Sequence, residues 1–116
     1  MPGPGVYGLQ LYQGDSYRWE FVLWLDAEKE QPADLAGAEA HATIRIGEDR
    51  HRLPCEVTLP NTVVMSIPSE LSERLCGNGL WDLRLVRADS TVQTIMRGNV
   101  SVMASVNGRV IGARRE

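Results

Sequence analysis

Tyr17 to Leu25 constrains the fold more than any other stretch of this chain. Tyr17, Trp19, Phe21, Leu23 and Leu25 fall on one parity; Arg18, Glu20, Val22, Trp24 and Asp26 fall on the other. A period of two is the mark of a strand with one buried face. Two of the three tryptophans and the only phenylalanine lie here, so the strand brings a large apolar area to a core. It is expected to be central, with other elements covering it. Leu9 and Leu11 predict a short strand before it, and Gln13-Gly14-Asp15 a turn between the two.

The rest of the chain supplies more strands. Asp26 to Gln31 reads as a charged, hairpin-like connection. Pro32 to Gly37 reads as an ordered loop with Leu35 tucked in and Gly37 turning the chain. Ala40, Ala42, Ile44 and Ile46 alternate with Glu39, His41, Thr43 and Arg45 in a strand over 38–46. Residues 51–59 predict an edge strand, because Pro54 has no N–H to give a ladder. A strand over 61–67 is followed by one short helix over about 69–76, with Ser69 as its N-cap and Gly77 at its end. Residues 80–87 and 91–104 complete the set, with a bulge or bend at Gly98. Many short strands at turn spacing plus one helical turn predict an all-β fold. The expected architecture is an antiparallel immunoglobulin-like β-sandwich of about seven to eight strands. The expected domain organisation is an extended arm over 1–7, a sandwich over 8–106 and a second arm over 107–116.

Charge and motifs narrow the chemistry. The net charge is −3, and no basic face of the kind a duplex binder needs is visible along the sequence, so no nucleic-acid partner is expected. The basic cluster that stands out is Arg109 to Arg115. No apolar run is long enough to span a bilayer and the N-terminus lacks a signal pattern, so no membrane partner is expected and synthesis in a cytoplasm is. Cys55 and Cys76 have no His or Cys at ligand spacing and are expected to be two free, buried thiols. His41 and His51 lack companion ligands, so no metal is expected. No nucleophile elbow or phosphate loop is present. Asp15 with Glu20, and Asp26 with Glu28, could pair as carboxylates, but no aromatic-floored cleft accompanies them. Neither an enzyme nor a cofactor is therefore expected.

Candidate contact residues come from two places. Val22 and Trp24 share the face opposite Trp19 and Phe21; they form an exposed apolar patch unless the helix or a long loop covers Trp24. Leu80 and Val86 have the same status opposite Trp81 and Leu85. In the C-terminal arm, Arg109, Arg114 and Arg115 flank Val110 and Ile111, an arrangement suited to docking on an acidic partner. A saccharide- or receptor-binding module is the alternative, with Trp24 near Asp26 and Glu28 as its site.

The order of the motifs resembles the small immunoglobulin-like domains of tailed-bacteriophage virions, similar to the N-terminal domain of phage upper baseplate proteins. The resemblance rests on Gly14-Asp15-Ser16 before the aromatic strand and on Asp34-Leu35-Ala36-Gly37 before a strand ending in Ile44-Arg45. It continues through Trp81-Asp82-Leu83, the turn Asp89-Ser90-Thr91-Val92 and the strand Gly98-Asn99-Val100-Ser101-Val102. Ser90 stands where that family usually has a turn glycine. The resemblance spans roughly 11–104. It implies a structural, non-enzymatic virion protein in multiple copies that contacts itself and a larger phage protein. The tail tip, baseplate, neck and capsid surface all suit such a role.

Overall fold

A computed structural model describes residues 4–106. Among the described residues, nine strands form two packed sheets, with one short helix between them in the chain. In chain order the strands are β1 (Gly5–Val6), β2 (Leu9–Tyr12), β3 (Tyr17–Val22), β4 (Glu39–Ile46), β5 (Asp49–Leu53), β6 (Cys55–Thr58), β7 (Thr62–Ile67), β8 (Gly77–Val86) and β9 (Val92–Met103). The helix α1 (Ser69–Ser72) separates β7 from β8. The larger sheet runs β1-β9-β8-β4-β5, with β2 also on β9; the smaller runs β3-β7-β6. These are the strand orders of an immunoglobulin-like sandwich, with β3, β7 and β6 facing β9, β8 and β4 and with β5 added at the edge. The first strand, β1 with β2, pairs parallel to the last strand, β9, instead of joining β3.

The aromatic strand is not central. β3 ends at Val22 and is the edge of the smaller sheet. Its parity holds as far as Leu23: Trp19, Phe21 and Leu23 pack against the core. Being at an edge, they stay half-buried. Leu25, beyond the strand, is 62% exposed and leaves the expected face. The middle of the larger sheet is β8. There Trp81, Leu83 and Leu85 are buried beside Ala42 and Ile44 from β4 and Val100 and Val102 from β9. Phe21 stacks on Trp81 across the sandwich, with ring centroids 6.2 Å apart, so an aromatic pair joins the two sheets.

Pro54 divides the edge strand expected over 51–59. β5 pairs with β4 in the larger sheet, and β6 pairs with β7 in the smaller. A residue without an N–H is tolerated where the chain leaves one ladder for another. Both halves are edges.

The first arm also differs from expectation. Gly5 and Val6 pair with Met96 and Arg97. The Tyr7 amide donates to the Arg97 carbonyl, and the Trp81 indole N–H donates to the Tyr7 carbonyl at 2.7 Å. This is the role of Gly98: a Cβ there would lie 2.0 Å from the Tyr7 oxygen. Gly98 is thus a point of close backbone approach, and the irregularity of the β8–β9 ladder falls at Leu83/Arg84 instead.

The helix is shorter than predicted, and Ser69 is not its N-cap. Pro68 holds that position with no side-chain cap. The Ser69 hydroxyl donates to the Gly14 carbonyl, and the Gly14 amide donates to the hydroxyl of buried Ser72. The helical turn therefore serves to grip the Gln13-Gly14 turn, where Gly14 takes a φ of 95°. Leu35 is fully buried and Gly37 has a φ of 77°, as the loop reading requires.

Candidate functional site

Of the expected contact residues, Val22 and Trp24 lie among the described residues. Val22, at the end of β3, is 47% exposed. Trp24 lies past the strand, half-buried, and bridges to Pro32. The loop over residues 23–36 is tied down by backbone hydrogen bonds: Leu25 N–H donates to the Gln31 carbonyl, Ala33 N–H to that of Leu23 and Leu35 N–H to that of Pro60, outside the loop. The Asp26 carboxylate accepts the amides of Glu30 and Gln31. These bonds fold the loop back beside Trp24. Arg109, Val110, Ile111, Arg114 and Arg115 lie outside the described residues.

The face with the strongest chemical character is the outer side of the larger sheet. Because Ala42 and Ile44 point inward, His41, Thr43 and Arg45 point outward; because Leu83 and Leu85 point inward, Arg84 points outward. Register then aligns these positions across four strands. Arg45 stands opposite Arg50, Thr43 opposite both Arg52 and Asp82, and Asp82 opposite Arg97. The result is a shallow depression of about 960 Å³ lined by five arginines (Arg45, Arg50, Arg52, Arg84 and Arg97) and one carboxylate, Asp82. Leu80 and Val92, 48% and 55% exposed, add apolar rungs to it.

This basic face is not visible along the sequence. The sequence does place Arg45 and Arg84 on outward parity. What brings them beside Arg50, Arg52 and Arg97 is strand pairing, which parity alone does not specify.

The arginines are poorly neutralised. Among the described residues, Arg45, Arg50, Arg84 and Arg97 form no ion pair. Arg52 donates to His41 Nδ1 at 3.3 Å, and His41 Nε2 donates to Glu39 at 3.3 Å, which assigns the Nε2–H tautomer. Like charges directly opposite one another across a ladder are destabilising. Arg45 and Arg50 are such a pair. Guanidinium groups held this way bind carboxylates and other oxyanions in a bidentate manner.

Other titratable groups stand away from this face or in structural roles. Both cysteines are free. Burial pushes the Cys55 thiol up to about 11, and contrary to expectation Cys76 is exposed. In the β8–β9 turn, hydrogen bonds from Thr91 hold the Asp89 carboxyl below its usual range. Among the described residues, no group of three or more His, Cys, Asp or Glu is placed to hold a metal ion.

No family model and no curated protein matches the chain. A solved structure does share its fold. That structure, described as a candidate glycoside hydrolase from Bacteroides vulgatus, is 10% identical with a TM-score of 0.53, over 84% of this chain and 16% of that one. Another, an endo-fucoidan hydrolase of glycoside hydrolase family 107, is 18% identical with a TM-score of 0.48, over 87% of this chain and 13% of the other. This chain thus spans a small part of either protein, and the likeness to the Bacteroides protein is one of fold.

Proposed function

We propose that this chain is a non-enzymatic structural protein of a tailed-bacteriophage virion, present in multiple copies and in contact with itself and a larger virion protein. The observation that carries the reading is the placement of the resembling motifs. Gly14-Asp15 forms the turn between β2 and β3 and is gripped by α1. Asp34 to Gly37 forms the loop that enters β4, with the Asp34 carboxylate accepting the Ala36 amide. Asp89 to Thr91 forms the β8–β9 turn, where the Asp89 carboxylate accepts the Thr91 amide. These three turn motifs fall at joints of one sandwich, which supports the reading. A surface that leaves several arginines without partners further suits a protein that works by docking. The likeness to glycoside hydrolases concerns the fold, and a fold hosts many functions.

The test is quantitative mass spectrometry of particles purified from cells producing the virus that carries this sequence. The chain is expected at a multiple-copy ratio to the major capsid protein. Its absence from intact particles, with the chain present in the lysate, refutes the proposal.

A further inference from the structure

We propose that the arginine face of the larger sheet is the docking site for the acidic loop over residues 26–34 of a second copy of this chain. The inference rests on the reading above for the idea of self-contact and names the two surfaces that meet. The receiving surface carries five arginines against one aspartate, although the whole chain is net negative. Among the described residues, most of those arginines form no ion pair. The Arg45–Arg50 opposition costs stability in the isolated domain, and an external anion relieves it.

The chain supplies a matching surface. Asp26, Glu28, Glu30 and Asp34 crowd one loop with a single lysine, Lys29. Asp26 and Asp34 are used to shape the loop by accepting backbone amides. Glu28 and Glu30 are exposed and form no ion pair among the described residues. The loop is held by several backbone hydrogen bonds, so docking costs little ordering entropy. Exposed Leu25 sits beside the carboxylates, as Leu80 and Val92 sit among the arginines. Apolar side chains interleaved with charge suit a protein partner. The face has no lysine, and its one lining tryptophan, Trp81, is buried, so it lacks the stacking platform of a single-strand binder. Two different patches meeting head to tail make a heterologous contact, which builds a ring or an open filament according to whether the rotation closes.

Sedimentation velocity up to millimolar protein tests this, at about 10 mM salt and again at about 1 M, where screening shrinks the Debye length from ~30 Å to ~3 Å. The wild-type chain should associate at low salt and dissociate at high salt. A face variant (Arg45→Glu with Arg50→Glu) and a loop variant (Glu28→Arg with Glu30→Arg) should each bind themselves at least roughly a hundredfold more weakly, since like-charge contacts cost several kcal/mol. An equimolar mixture of the two should associate again, because the reversed positions 45 and 50 then meet the reversed positions 28 and 30 with opposite charge, and the unchanged face meets the unchanged loop. Far-UV circular dichroism verifies that both are folded; if the face variant is not, Arg45→Gln with Arg50→Gln replaces it, and its own self-association should be lost. A wild-type chain monomeric throughout, or a mixture that stays monomeric, overturns the inference. So does a monomeric chain whose face binds heparin or oligo-dT, which assigns the face to a polyanion of another class. These outcomes differ from failure of the virion reading: particles can carry a chain that is monomeric in solution, and a self-associating chain can be absent from particles.

Discussion

At the scale of single residues, Trp81 carries more than its area. It is buried, it stacks with Phe21 across the sandwich, and its indole N–H holds the Tyr7 carbonyl. Trp81→Phe keeps most of the apolar volume but leaves that carbonyl without its donor, at a cost of about 1–3 kcal/mol. Urea denaturation measures it. Trp19→Ala should cost less than the ~3–5 kcal/mol of a buried tryptophan, because the ring is half-exposed at an edge. Ser90 is the opposite case. It adopts a φ of 72° in the β8–β9 turn, a conformation costly for a side chain with a Cβ. Ser90→Gly relieves that strain and adds chain entropy to the unfolded state, for a net gain of roughly 0.5–1 kcal/mol, read as a higher melting temperature. The two thiols should separate kinetically. Exposed Cys76 should alkylate quickly at mildly alkaline pH. Cys55 should lag, because little thiolate forms well below a pKa of about 11. Intact-mass time courses with iodoacetamide resolve the two, and equal rates would contradict the burial assigned to Cys55.

At the scale of elements, the outer face of β4 and β5 shows where stability and docking diverge. Arg50 faces Arg45 across an edge ladder. Arg50→Glu converts a repulsive cross-strand pair into an attractive one, a gain of about 0.2–1 kcal/mol. Thermal melts at low salt should show the variant more stable than the wild type, with the difference shrinking as salt is added. A surface that becomes more stable when a charge is reversed is one whose native charge serves something other than folding. The short helix teaches a related lesson. A single helical turn is too short to stand alone. Ser69 and Ser72 hold it to the Gly14 turn, and Gln13 reaches the Glu73 and Leu75 carbonyls.

At the scale of the whole molecule, the first and last strands close the larger sheet. β9 would otherwise present a long unpaired edge, and β1 and β2 cover it in parallel. Removing residues 1–7 takes away β1 and the partner of the Trp81 indole together. The melting temperature should fall by several degrees, about 4–8 °C for each kcal/mol lost in a domain this size. An unchanged melting temperature would show that the first strand contributes little.

Alternation of apolar side chains in Trp19–Phe21, Ala42–Ile44 and Trp81–Leu85 determined by itself that the chain is all-β and which parity faces the core, because a strand's side chains have a period of two wherever it lies. The glycines and aspartates at residues 14, 37 and 89 likewise marked their turns through local backbone chemistry. Tertiary structure alone decided which strand is central, since alternation reports one buried face and carries no count of neighbours. It decided that Pro54 changes sheets and that Gly98 admits the Tyr7 backbone. It also decided that arginines separated by up to 52 positions, from Arg45 to Arg97, share one surface. Those outcomes depend on pairing and register between distant segments, which form through long-range contacts that no local pattern encodes.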